Sequence, residues 1–183
     1  IYRIIDKKAQ LVRFTQNKIQ TILNSSTARR KIILKARQFG VTTNEVLRLL
    51  DHTLYTANTT TCIIAHEQDA IDKIFRIVRR AYYHIPGDIK PRLDRGGGSR
   101  YQLTFPDINS RIYCDLESRG DTIHRLHISE AAFMLYERFI ATIQAVPLDG
   151  YITIESTPNG LGNFFYELWN TDASTYERFF FPW

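Results

Sequence analysis

The chain has only two cysteines, Cys62 and Cys114, in 183 residues. Both lie inside β-rich apolar stretches with no metal-ligand spacing around them, which excludes a disulfide scaffold and a zinc module and leaves buried thiols of a reducing compartment. No apolar run approaches the roughly 18 to 20 residues that span a bilayer, and no basic, apolar, small-residue signal peptide opens the chain. A soluble protein without a membrane partner is expected. Internal repeats and low-complexity segments are also missing.

What is present suits one globular domain. Hydrophobic residues make up 44% of the chain and aromatics 13%, enough to bury a substantial core at this length. Lysine and arginine number 24 against 19 acidic residues, a net charge of +5 that favours a polyanionic partner. The chain starts on Ile1 and stops on the strand-like FFFPW, Phe179 to Trp183, and so reads as a fragment of something longer.

Periodicity predicts alternating strands and helices. Lys31 to Lys35 (KIILK) is a short apolar run, followed by a glycine loop and by NEVLRLLDHTLY, in which Val46, Leu47, Leu50 and Leu54 recur at helical spacing. Thr60 to Ala65 (TTCIIA) leads in the same way into a helix over Gln68 to Tyr83. Pro86 to Arg100, with Gly96, Gly97 and Gly98, breaks the rhythm and predicts a mobile surface loop. Tyr101 to Phe105 and Arg111 to Asp115 read as a strand pair joined by PDINS. Alternation resumes with a strand over Arg125 to Ile128, a helix over Leu135 to Val146, a strand over Tyr151 to Glu155 and a helix over Asn163 to Trp169. Such units build a mostly parallel sheet with helices on both faces, and ligands bind at the carboxyl ends of its strands.

Three of those ends carry unusual residues. KARQFGVTT, Lys35 to Thr43, partly fits the phosphate-loop template G-x-x-x-x-G-K-[ST], whose amides wrap phosphate oxygens, whose lysine meets the β/γ-phosphates and whose hydroxyl holds Mg²⁺. Gly40 and Thr42 match, Val41 stands where lysine belongs, and Lys35 and Arg37 offer cations at the other side of the loop. A plain strand-to-helix turn fits as well. LHISEAAF, Leu126 to Phe133, ends a strand on Ser129 and Glu130, where a carboxylate can activate water in ATPases that use a glutamate base. The competing reading is a helix start with Ser129 as N-cap. Ser129 also occupies the place of the usual Mg²⁺-holding aspartate. STPNG, Ser156 to Gly160, is a polar turn placed to sense a γ-phosphate, and Arg119 with Gly120 forms a basic loop upstream. On the second helix, Lys73, Arg76 and Arg80 share a face, either as a phosphate-backbone stripe or as a merely solvated surface.

Taken in order, KARQFGVTT, LHISEAAF and STPNGLGNFFYELW resemble the ATPase motor domain of the large terminase subunit of tailed bacteriophages and prophages, over about Arg13 to Trp183. The resemblance implies an α/β P-loop NTPase of the RecA-like type. It implies hydrolysis of ATP with Mg²⁺ to drive double-stranded DNA through a portal protein into an empty procapsid. A small terminase subunit and a homo-oligomeric ring on the portal are implied too, with a monomer for the isolated domain, in the host-cell cytoplasm. An RNase H-like nuclease domain follows the motor in that family and is absent from this sequence.

Residue by residue, the resemblance makes Glu130 the catalytic glutamate and Thr42 the Mg²⁺ ligand, with Ser129 and Glu130 beside the metal. The nucleotide contacts run through Lys35, Ala36, Arg37, Gln38, Phe39, Gly40, Val41, Thr42 and Thr43. Gln20 matches the adenine-recognising glutamine, with Gln16 as a rival. Ser156, Thr157, Pro158, Asn159 and Gly160 form the coupling motif. Arg119, eleven residues before Glu130, matches an arginine that reaches a neighbouring subunit's nucleotide. Another RecA- or helicase-like ATPase, or a degenerate domain that binds nucleotide without hydrolysing it, are the alternative expectations.

Overall fold

A computed structural model describes residues 1–94, 100–118, 120–171 and 175–182. Gly96, Gly97, Gly98 and Arg119 lie outside the described residues. Nine strands and five helices follow one another among those described: β1 (Arg3–Ile5), β2 (Leu11–Arg13), α1 (Lys18–Ser25), β3 (Arg30–Lys35), α2 (Val41–Tyr55), β4 (Thr60–Ala65), α3 (Gln68–Tyr83), β5 (Gln102–Phe105), β6 (Ser110–Asp115), β7 (Arg125–Ser129), α4 (Tyr136–Gln144), β8 (Tyr151–Ser156), α5 (Phe164–Asn170) and β9 (Glu177–Phe181). Strands β1 and β2 pair antiparallel in a small sheet of their own.

The main sheet has seven strands in the order β5-β6-β4-β7-β8-β3-β9. Every pairing is parallel except the β5–β6 edge, where a single 3₁₀ turn over Pro106–Ile108 joins the strands as a hairpin. Buried parallel strands read as continuous apolar runs because both faces are covered. The two faces of β4 separate cleanly. Ile63 and Ala65 pack with α2 and α3 through Val46, Leu50, Ile71 and Val78, whereas Cys62 and Ile64 pack with Phe139 of α4 and Phe165 of α5. Both cysteines are buried free thiols, and burial raises their pKa.

Helix α1 is fixed by a reciprocal capping box, in which the Asn17 side chain accepts from the Gln20 amide while the Gln20 side chain accepts from the Asn17 amide. Its buried Leu23 forms a small separate core with Ile33 and Val41. Helix α2 begins three residues earlier than its apolar periodicity alone predicts, at Val41, because Gly40 turns the chain into it. Helix α4 ends at Gln144, short of Val146, because the amides of Ala145 and Val146 close three-residue turns onto Thr142 and Ile143. The strands β3, β7 and β8 lie side by side with β8 in the middle, so Lys35, Ser129 and Ser156 all end on one rim of the sheet.

Candidate functional site

The loop between β3 and α2 is built for close approach. Gln38 and Gly40 both have left-handed backbone, at φ 66° and 69°. At Gly40 an added Cβ would sit 2.8 Å from Gln20 Nε2, so glycine suits the left-handed backbone and leaves the Gln20 amide in place. Gln20 Nε2 donates to the Gly40 carbonyl at 2.8 Å, and Asn17 Nδ2 donates to the Phe39 carbonyl at 3.0 Å. The capping box of α1 therefore doubles as a brace for the loop. Gln20 is buried and its Oε1 is engaged by Asn17, so its bond to the loop is the contact it visibly makes. Gln16 lies elsewhere, beside Tyr2, Phe14 and Arg125.

A cleft of about 570 Å³ opens above this loop, lined by Lys35, Arg37 to Thr43, His66, Glu67, Lys73, Glu130, Phe133 and Thr157. Val41 is 1% exposed and packs with Leu23 and Ile33, so the position where the template has lysine contributes to the core here. Lys35 brings a positive charge to the cleft from the strand end. Its Nζ lies 3.0 Å from Glu130 Oε1 and 3.0 Å from Glu155 Oε2. Burial lowers the Lys35 pKa, but the two carboxylates outweigh it and the net shift is upward. Arg37 is exposed on the same cleft and has no ion pair among the described residues.

Glu130 sits at the end of β7 with φ 55°, a left-handed conformation that a non-glycine residue holds only where its surroundings insist. The surroundings are the STPNG turn. Thr157 gives Glu130 Oε2 two hydrogen bonds of 3.0 Å, one from its amide and one from its hydroxyl. Behind it, Ser156 Oγ accepts from the Ala132 amide and Asn159 Nδ2 donates to the Ala132 carbonyl. Helix-starting SEAA is thereby corrected: Ser129 is the last strand residue, and Glu130 precedes only a 3₁₀ turn over Ala131–Phe133. Pro158 and Gly160 are exposed and border a separate small hollow with Leu34, Phe165 and Trp169.

The residue that sequence reasoning missed is Glu155. It is wholly buried at the centre of the group, accepting hydrogen bonds on Oε1 from Thr42 Oγ1 and from Ser129 Oγ, the latter at 3.0 Å. His127 Nε2 lies 3.6 Å away, in contact but beyond hydrogen-bond length. Burial raises the Glu155 pKa, yet the neighbouring His127, Lys35 and Thr42 overcome it and the carboxyl is lowered to about 2. An ionised acid under YITIE was readable only as a break in an apolar strand. Of the basic residues on α3, Lys73 borders the cleft, Arg76 and Arg79 are exposed and Arg80 is half-buried.

With loop, cation and carboxylates converging on one rim, the comparison with solved structures becomes specific. The ATPase domain of the Thermus phage P74-26 large terminase is 20% identical over 92% of this chain and 81% of that one, with a TM-score of 0.70. The large terminase of bacteriophage HK97 is 16% identical over 90% of this chain and 37% of that one, at 0.73. The chain has the fold of the phage large-terminase ATPase domains. That terminase-type fold is RecA-like, and S. cerevisiae Dbp5 bound to RNA and ADP BeF3 shares it at 15% identity, over 88% of this chain and 45% of that one, with a TM-score of 0.59. No family model matches the chain and no curated protein matches it.

Proposed function

We propose that the chain is the ATP-hydrolysing motor domain of a viral DNA-packaging machine. The observation that carries this reading is the convergence of Lys35, Glu130 and Thr157 over a glycine-braced loop at one sheet rim. Amides of the loop around Gly40 cradle the phosphates of ATP. Arg37, exposed on the cleft, and Lys35 at its floor neutralise phosphate charge, and Glu130 orients the water that attacks the γ-phosphate, releasing ADP and inorganic phosphate. Both Glu130 oxygens are held, one by Lys35 and one by Thr157. A γ-phosphate that draws Lys35 toward itself frees one of them and leaves the other on the STPNG turn, which is how hydrolysis is passed on to movement.

The donors around Thr42 are hydroxyl and carboxylate oxygens, the set that suits Mg²⁺. Thr42 would hold the ion, with Ser129 and Glu130 beside it. When bound it would neutralise negative charge on the phosphates.

Double-stranded DNA is the track in this reading, gripped without sequence preference through backbone contacts by the exposed Arg76 and the half-buried Arg80 of α3. Assembly as a ring on a portal protein, with a small terminase subunit as partner and Arg119 serving the neighbour's nucleotide, belongs to the same reading. So does a place in the host-cell cytoplasm. No helix among the described residues is long and apolar enough to cross a membrane.

Phosphate release measured on protein assembled on its portal tests the assignment. Glu130→Ala is expected to keep nucleotide bound and to turn over about 10² to 10⁴ times more slowly. Turnover equal to wild type would defeat it. A wild type that binds ATP but releases no phosphate even when assembled favours the non-hydrolysing reading motivated by Val41 and Ser129.

A further inference from the structure

The P-loop scheme needs an acid beside the metal-holding hydroxyl, and Ser129 has no carboxylate to offer. Glu155 stands next to it. The two residues are register partners across β7 and β8, so their backbones are neighbours at the strand spacing of about 4.8 Å. Glu155 Oε1 accepts from both Thr42 Oγ1 and Ser129 Oγ, and Glu155 Oε2 faces Lys35 Nζ at 3.0 Å without being hydrogen-bonded by it. The side chain is 0% exposed, with no route to solvent for its charge.

We propose that Glu155 is the displaced acid of the phosphate-loop metal site: a carboxylate moved one strand sideways, from the position of Ser129 to its neighbour on β8, that orients the Thr42 hydroxyl for Mg²⁺. Glutamate is one methylene longer than aspartate, and that added reach lets a residue on the adjacent strand meet Thr42. Ser129 is then the small partner that leaves room for the incoming carboxylate and donates a hydrogen bond to it. The inference rests on the nucleotide-binding reading above and assigns Glu155 a positioning role. The same carboxylate also faces Lys35, which places the loop's cation and the loop's metal-holding hydroxyl under one buried charge.

The test measures binding of a fluorescent ADP analogue with Mg²⁺ and with EDTA, so that the readout is the gain in affinity that the ion brings. Glu155→Gln is expected to reduce that gain about tenfold or more, the usual cost of removing a group that supports a metal ligand. Thr42→Val should reduce it as much, and Thr42→Val with Glu155→Gln no further. The decisive arm is Ser129→Asp combined with Glu155→Gln, which returns the acid to β7 and should restore most of the gain; a buried counter-ion of Lys35 with no bearing on the metal would not be rescued this way. Melting curves report folding for each variant. Should Glu155→Gln fail to fold, a folded double variant decides: Mg²⁺ dependence supports the proposal, and its loss overturns it. Thr42→Val or Glu155→Gln with an undiminished gain also overturns it, leaving nucleotide binding intact. A wild type that binds the analogue under neither condition defeats the functional reading itself.

Discussion

Two hollows on this molecule handle charge in opposite ways. In the cleft above the β3–α2 loop, one lysine is locked between two carboxylates, and the hydroxyls of Thr42, Ser129 and Thr157 donate to those same carboxylates. At the other hollow, of about 760 Å³ around the end of α3 and the segment before β5, two of the cations rest on aromatic faces: Lys90 Nζ is 4.5 Å from the Tyr82 ring centre and 5.1 Å from that of Tyr83, and Arg79 lies 5.8 Å from Tyr83. The second hollow is the larger, but no buried carboxylate is among its lining residues. A buried ion pair that loses one partner costs about 3–5 kcal/mol. Exposed cation–π contacts contribute about 0.5–1 kcal/mol each and leave the charge available to a polyanion. Volume marks the roomier hollow; compensation of charge marks the one proposed to carry chemistry.

The sharpest way to break the contrast is to unbalance the cleft. Glu155→Gln should destabilise the fold by about 3–5 kcal/mol in denaturant unfolding, because Lys35 then keeps only the partly exposed Glu130. A loss below about 1 kcal/mol would mean that the pair is solvated. Acid titration probes the same charge. Since the folded Glu155 carboxyl is lowered to about 2 from its ordinary 4.5, its contribution is complete above pH of about 4.5 and fades as pH falls toward 2, roughly 3 kcal/mol in total. Glu155→Gln should flatten unfolding free energy against pH in that window. The Lys35 shift is upward, so its own contribution is full at these pH values and is lost only above the usual lysine range.

The two cations of the loop separate next. Lys35→Ala should lower both melting temperature and ATP affinity, whereas Arg37→Ala should lower affinity about tenfold and leave melting unchanged, a difference read by calorimetry beside nucleotide titration. If neither weakens binding, the loop does not hold phosphate. Smallest are the effects at the outer surface. Lys90→Ala should cost at most about 1 kcal/mol of stability with no change in nucleotide binding. Arg76→Ala and Arg80→Ala should each weaken DNA binding several-fold and reduce its salt slope by about one, measured by titration at several salt concentrations.

Legibility in the sequence followed how local each signal was. Helix α3 and strand β4 were readable to the residue, because a strongly amphipathic run and a β-branched run each declare their period without help. Strands β1 and β2, three residues each and half-exposed, carry no such period, and they exist because their partners meet in space. The loop KARQFGVTT and the strand-end acid Glu130 were legible as motifs. Glu155 was not, since nothing in YITIE distinguishes a glutamate at a strand end facing solvent from one facing a lysine on the next strand.

By itself the sequence determined the alternation of strands and helices, the parallel sheet with two covered faces, and the three strand ends that carry polar chemistry, because hydrophobic period and turn residues act over a few positions. Only the tertiary structure decided how those ends meet. Strand order put β8 between β3 and β7, and that order brings Lys35, Ser129, Glu130, Glu155 and Thr157, up to 122 positions apart, within reach of one another. Charge pairing is set by distance through space, and no spacing along the chain encodes it.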